Sequence, residues 1–285
     1  MSILQAIMLG IVQGLTEFIP ISSTAHLTLA GKLMGLVNPD QPEEWTAFIA
    51  VVQLGTFIAV ILYFAEDIIK IIHGFVVANL AKLNKKPVSA ENEHWSLLGW
   101  LIIIGSIPVG VVGVLFRHWI EGKLTKNLWV IAGSMIGLAL ILTLAEIVGR
   151  RRRDMQQLTV VDAIVVGCAQ VFAVIPGSSR SGTTITGGLF SGLTRETAAR
   201  FSFLLSIPAV GASGLLELRE AIHSVHTGPL QLAISTLAAL IVGYLTIAFM
   251  LKYLQRHSTY LFVGYRIGLG VLILALLFSG RVGAY

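Results

Sequence analysis

The sequence predicts an all-α integral membrane protein built as an inverted repeat, each half a re-entrant helical hairpin followed by three transmembrane helices. Three observations carry that fold class. Of 285 residues, 55% are hydrophobic and only 12% charged, with a mean hydropathy of +0.82, against roughly 25% charged in soluble domains. Six apolar stretches are long enough to cross a hydrocarbon core, which takes about 20 helical residues: 46–65, 95–116, 128–148, 201–218, 229–251 and 260–279. A polar motif occurs twice, about 156 residues apart, as G-I-V-Q-G-L-T-E-F-I-P-I-S-S-T-A-H from Gly10 to His26 and as G-C-A-Q-V-F-A-V-I-P-G-S-S-R-S-G-T-T from Gly167 to Thr184.

The elements follow in order. Residues 2–18 form an apolar helix interrupted by Gln13 and Glu17 and stopped at Pro20, after which a second short run ends near Leu36; residues 158–175 stop at Pro176 and continue as 181–193. Both segments, broken at proline, fail as spanning helices and read as re-entrant hairpins; non-helical backbone at membrane depth needs protein or a watery cavity around it, so both loops should face inward. A proline-kinked ordinary span is the alternative. The chain then reads as one membrane domain, 1–285, with repeat 1 over about 1–148 and repeat 2 over about 158–285.

Orientation comes from Lys and Arg. One side receives 12, in segments 66–94 (Lys70, Lys82, Lys85, Lys86), 149–157 (Arg150 to Arg153), 194–200 (Arg195, Arg200) and 252–259 (Lys252, Arg256); the other receives 5 (Arg117, Lys123, Lys126, Arg219, Arg281). The richer side is cytoplasmic. Hairpin one then enters from outside and hairpin two from the cytoplasm, so the halves are inverted and their loops meet near the midplane. The arginine run beside a span is a topology anchor that meets anionic lipid rather than a nucleic-acid site.

Several residues read as structural. The lone Cys168 is expected to be a small buried hydrophobe with no disulfide partner. Trp45, Trp95, Trp119 and Trp129 lie near span ends as interfacial anchors, and Lys32 is placed to snorkel outward. His73, His94, His118, His223, His226 and His257 show no metal-ligand spacing. Arg266 is expected to pair with Glu146 or Glu217, with phosphate as its other partner. The first ten residues lack a basic stretch and a small-residue cleavage site, so no removable leader is expected there.

The two loops carry the chemistry. Ser178, Ser179, Arg180, Ser181, Gly182 and Thr184 open a new helix after Pro176-Gly177. Free backbone N–H groups, the helix dipole and a guanidinium fork make an anion site suited to phosphate. Tight helix packing explains the glycines, but not an arginine whose insertion at mid-membrane costs roughly 3 kcal/mol. In the first loop, Ser23 and His26 are three apart on a restarting helix and share a face, as a nucleophile and its acid–base partner require. Ser22 is a helix cap as well as a candidate contact, and Thr24 is a further hydroxyl. Glu17, in an apolar helix, is neutral, paired with Arg180 or bound to a divalent cation. Gln13 can orient or ligate weakly but cannot act as a base.

At these residues the chain resembles a family. Q-G-L-T-E-F-I-P-I-S-S-T-A-H (13–26) and P-G-S-S-R-S-G-T-T (176–184) are similar to the two signature regions of bacterial undecaprenyl-diphosphate phosphatases of the bacitracin-resistance type, and the likeness runs over the whole chain. The resemblance implies an inner-membrane hydrolase that converts undecaprenyl diphosphate to the monophosphate and phosphate, recycling the lipid carrier of peptidoglycan synthesis and conferring bacitracin resistance. It implies a signature carboxylate at Glu17 with Gln13 four residues before, functional groups at Ser23 and His26, and a phosphate site at Ser179, Arg180 and Thr184. It also implies an active site open to the periplasmic side. Many members have Glu where Gln13 stands and Gly where Ala25 stands.

The expected mechanism has Arg180, Ser179, Thr184 and nearby N–H groups hold the diphosphate while Glu17 holds a divalent cation, Mg²⁺ or Ca²⁺. Ser23 attacks the terminal phosphorus, with His26 or Glu17 taking its proton; direct attack by water with His26 as base uses the same residues. The expected partners are the polyprenyl diphosphate and membrane lipid, without nucleic acid, and a homodimer is compatible. A lipid-phosphate flippase or secondary transporter is the rival, since inverted repeats and broken helices typify transporters; a mere scaffold leaves the midplane charges unexplained.

Overall fold

The computed structural model describes residues 1–37, 42–116, 127–224 and 228–283, without the side chains of 42–43, 213 and 215–224. Expectations at Arg117, His118, Trp119, Lys123, Lys126, Glu217, Arg219, His223 and His226 therefore fall outside the described residues. Within them the chain is all-helical and has no strand: α1 (Ile3–Phe18), α2 (Ser23–Leu33), α3 (Pro42–Tyr63), α4 (Ala65–Leu83), α5 (Ala90–Leu115), α6 (Leu128–Val148), α7 (Val160–Val171), α8 (Arg180–Phe190), α9 (Arg195–Ser224), α10 (Pro229–Leu254) and α11 (Tyr260–Phe278).

Five helices are long and apolar enough to cross a membrane, over Glu44–Tyr63, Ala90–Leu115, Leu128–Val148, Pro229–Leu254 and Tyr260–Phe278. The sixth expected stretch, 201–218, lies in α9, whose later side chains are outside the description. Segment 66–94, expected as a connection, instead contains the 19-residue α4. Its cause is a helical face of Ile71, Gly74 and Ala78, which packs on α5 and overrides the charges of Glu66, Asp67 and Lys70.

The short helices sit where small residues admit them. α1 packs on α10 and α7 on α5, while α3 meets α9 and α6 meets α11. A Cβ at Gly10 would stand 2.3 Å from the Ser235 carbonyl oxygen, and one at Gly167 2.3 Å from that of Gly105. Backbones approach this closely only where both surfaces are small, which is how helices gain dispersion contact when lipid is as apolar as they are. On α1 the buried face runs Ala6, Leu9, Gly10, Gln13, Gly14 and Glu17, so the spacing that packs the glycines also turns the two polar residues inward. On α7 the matching face is Asp162, Ala163, Val166, Gly167 and Gln170. Cys168 falls off that face and is exposed, correcting its expected burial.

Ionic staples tie the helix ends. Glu146, 1% exposed, accepts from Arg195 Nε and Nη2 (2.9 and 2.8 Å), Arg151 Nη1 (2.8 Å) and the N–H and hydroxyl of Thr259 (both 2.9 Å). It thus joins the end of α6 to the starts of α9 and α11, and it is not the partner of Arg266. Arg153 grips Asp162 with both Nη atoms, at 2.8 and 2.6 Å. Two residues of the arginine run, Arg151 and Arg153, therefore have a structural task. Two other expectations change. Trp45 is buried against Gly31 and Phe48 rather than interfacial, and Lys32 Nζ is buried without a hydrogen-bond partner rather than reaching outward.

Adding one methyl at the α5–α7 crossing tests this packing. Gly167→Ala should cost at least about 2 kcal/mol of stability through overpacking, whereas Gly264→Ala, which meets nothing within 4 Å, should be neutral or stabilising because Ala favours helix by about 1 kcal/mol. Thermal unfolding in detergent, followed by helical circular dichroism, separates the two; equal stabilities would contradict the close crossing.

Candidate active site

The two loops present the same local device. Both α2 and α8 start at a serine cap with positive φ: Ser22 (φ 79°) accepts from the Ala25 N–H, and Ser179 (φ 67°) from the Gly182 N–H. A non-glycine residue in this region stores about 1–3 kcal/mol and persists only where surroundings hold it. In sequence Ser22-Ser23 matches Ser178-Ser179, but in the structure the caps Ser22 and Ser179 correspond. Gly177 (φ +87°) supplies the extra residue of the second loop, in a conformation that a side chain would strain and where a Cβ would lie 2.4 Å from Ser134 Oγ. Ser23 and Arg180 consequently occupy the same position, the first of each new helix.

Those two residues meet on one carboxylate. Arg180 Nη2 donates to Glu17 Oε1 at 2.9 Å, and Ser23 Oγ donates to Glu17 Oε2 at 2.8 Å. Gln13 Nε2 also donates to Oε2, at 3.1 Å, and lies 3.3 Å from Thr56 Oγ1 on α3. The ion pair is sheltered, with side-chain exposures of 12% for Arg180 and 6% for Glu17. A crevice between α3 and α9, lined by Glu17, Thr56, Phe57, Arg180, Ser206 and Val210, opens beside it.

Arg180 Nη1, Ser178 Oγ and Gln13 Oε1 are buried without a hydrogen-bond partner. Burying a polar atom without a partner costs free energy, so such a cluster marks a place for a ligand. Two are donors fit for phosphate oxygens; the third, an oxygen beside a carboxylate, suits a hard cation. Among the described residues no three His, Cys, Asp or Glu side chains converge. A divalent cation here would therefore depend on Glu17, Gln13 Oε1 and substrate oxygens together.

Other expected groups fall around this centre. Ser179 Oγ lies 3.1 Å from Ser181 Oγ, and Ser181 reaches the Ile19 carbonyl of the other loop at 3.3 Å. Thr184 donates to the Arg180 carbonyl (2.7 Å) and meets Ser202 Oγ at 2.6 Å, so it braces the first turn of α8 from behind. Gly182 makes room for Arg266, whose Nη1 would stand 2.7 Å from a Cβ there. Thr24 is exposed and takes no part in these bonds.

Two expectations are corrected. His26 does not pair with Ser23, although they are three apart: its Nδ1 bonds the Ser22 carbonyl and its Nε2 the Tyr265 hydroxyl, both at 2.7 Å. Among the described residues Arg266 makes no carboxylate pair, Glu146 being held by Arg195 and Arg151; the Glu217 side chain lies outside them. Fully buried, Arg266 donates to the carbonyls of Met135 (3.2 Å), Pro20 (3.3 Å), Gly177 (3.2 Å) and Ser178 (2.9 Å), clamping both loops. Tyr265, Thr56 and Ser202 had no role in the sequence reading; the Tyr265-Arg266 pair in an otherwise uncharged span was the one available signal.

Residues 6–272 match the family described as bacitracin resistance protein BacA. The chain belongs to this family. It is 54% identical to an undecaprenyl-diphosphatase of Syntrophobacter fumaroxidans over 99% of this chain and 100% of that protein. An undecaprenyl-diphosphatase of Chlorobaculum tepidum is 49% identical over 99% of both chains, and one of Mycolicibacterium smegmatis 46% identical over 100% of both. BacA membership agrees with the motif resemblance, and the paired loops give it a physical centre.

The clamp makes a prediction. Arg266→Met strips donors from four buried carbonyls and should lower stability by about 3 kcal/mol or more; unfolding of the purified variant in detergent measures it, and a loss below about 1 kcal/mol would contradict the clamp.

Proposed function

We propose that the chain is an undecaprenyl-diphosphate phosphatase of the bacterial inner membrane, hydrolysing its lipid substrate to undecaprenyl phosphate and inorganic phosphate. The observation that carries the mechanism is Glu17, which accepts a hydrogen bond from a serine hydroxyl on one oxygen and from a guanidinium on the other. A base on a nucleophile beside an oxyanion-binding cation is the minimal set for phosphoryl transfer.

The fold reading that supports it is an inverted repeat of six spans and two re-entrant hairpins, over about 1–148 and 158–285. Its pairings favour this: α1 on α10 answers α7 on α5, while α3 with α9 and α6 with α11 are counterparts facing each other. Helix α4 is the addition without a counterpart. By the positive-inside count the site opens to the periplasmic side, and the prenyl tail lies along apolar helix surfaces in lipid.

Arg180 Nη1 and Ser178 Oγ, unpaired in the structure, take phosphate oxygens with the first N–H groups of α8, and Arg180 Nη2 follows as the phosphate competes for it. Ser179, Ser181, Thr184, Gly182, Ser22 and Gln13 keep both helix starts in register. Ser23 Oγ attacks the terminal phosphorus, Glu17 takes its proton, and the lipid monophosphate leaves in line. Glu17 is the better-placed base because its oxygen is 2.8 Å from Ser23 Oγ, while both nitrogens of His26 are engaged elsewhere. A Mg²⁺ or Ca²⁺ held by Glu17, Gln13 Oε1 and the substrate would neutralise phosphate oxygens.

Reconstituted protein given a prenyl diphosphate should release phosphate, and excess chelator should abolish it. Ser23→Ala should lose about three orders of magnitude in turnover while still binding substrate, since it deletes transition-state chemistry rather than ground-state contact. Retention of more than about a tenth, a barrier change under about 1.4 kcal/mol, would make Ser23 a positioning residue; full activity in chelator would remove the cation.

A further inference from the structure

Phosphoryl transfer to Ser23 leaves a chemical question at the second half of the reaction. Water must cleave the phosphoserine in line with the P–Oγ bond, on the face opposite the Oγ that Glu17 contacts, so the proton of that water needs an acceptor other than Glu17. A second base is required, and His26, one turn along α2 from Ser23, is the imidazole at hand. Its geometry is specific. The Ser22 carbonyl can only accept, so Nδ1, 2.7 Å away, carries a hydrogen. In the neutral ring Nε2 then holds the lone pair, and the Tyr265 hydroxyl, 2.7 Å away, is its donor.

The rings lie nearly parallel, at 12° with centroids 5.5 Å apart. The neighbouring Arg266 fixes the phenol's register by bonding carbonyls of both loops. With its hydrogen committed to Nε2, the Tyr265 oxygen keeps its lone pairs, and the residue is 47% exposed. A phenol is both donor and acceptor, so this arrangement can pass a proton inward without moving either ring.

We propose that Tyr265 is a catalytic relay residue: its oxygen accepts a proton from the hydrolytic water as its own proton passes to His26 Nε2. This rests on the phosphoserine path proposed above. The bonds balance. Water oxygen forms a bond to phosphorus, the P–Oγ bond breaks, and Ser23 Oγ recovers its proton from Glu17. Tyr265 ends unchanged, His26 is left as imidazolium, and its proton returns to solvent along the same path as phosphate departs.

Rapid quench of the full-length, reconstituted enzyme with a prenyl diphosphate separates the two halves. Tyr265→Phe keeps the stacked ring, and thermal unfolding checks that it folds. It should form lipid monophosphate in a burst of about one per enzyme at close to the wild-type rate. Phosphate release should fall about 100-fold, within the range for lost acid–base catalysis, while phosphorylated Ser23 accumulates. Adding His26→Ala to it should slow release little further. A phosphoserine that clears at the wild-type rate in Tyr265→Phe, or a variant that slows both halves equally, overturns the relay. A wild-type enzyme that never forms the phosphoserine, with Ser23→Ala active, refutes instead the path beneath it.

Discussion

The ion pair between Glu17 and Arg180 is the constraint on which the rest of the site depends. These residues stand 163 positions apart, one before the break of the first hairpin and one after the break of the second, and they meet within a largely apolar chain. Two charges taken out of water repay their desolvation only when geometry is good and remaining polar atoms are satisfied. Glu17 meets that condition with Arg180, Ser23 and Gln13. Arg180 meets it only in part, since Nη1 is unpaired. The pair is thus stable enough to hold the loops together and incomplete in the direction in which a phosphate would complete it.

The surrounding structure serves to keep the loops in contact. Arg266 substitutes for solvent at the buried carbonyls of the two helix breaks, which is the requirement for irregular backbone away from water. The strained caps Ser22 and Ser179 aim the first residues of α2 and α8 at the same carboxylate, and the close glycine crossings let α1 and α7 pack against their neighbours. Reusing one loop twice with a one-residue offset gives a serine at one copy and an arginine at the other. The repeated motif thereby sets a hydroxyl on one oxygen of Glu17 and a guanidinium on the other.

Much of this was legible in the sequence because charge in an apolar chain is conspicuous. Glu17 and Arg180 stood out for their cost, Ser23 for its motif, and all three converge. Five expected spans coincide with long apolar helices. Helix α4 was hidden because its charged residues mask a small-residue face, and Cys168 was misplaced because apolar context does not say which side of a helix faces out. The pairing of Ser23 with His26 failed for a different reason. Helical spacing gives proximity, but the ring's bonds go to Tyr265, 239 residues away, and to a backbone carbonyl. Arg266 likewise was assigned a carboxylate because carboxylates are visible in sequence, whereas free carbonyls appear only once the helices are known to break.

The most direct measurement is a double-mutant cycle on Glu17 and Arg180, scored as kcat/KM for a prenyl diphosphate. If the two act as one unit across the hairpins, Glu17→Gln with Arg180→Met should be about as slow as the worse single variant, the loss being far from additive. Losses that multiply would show two groups acting independently, and would contradict a shared site.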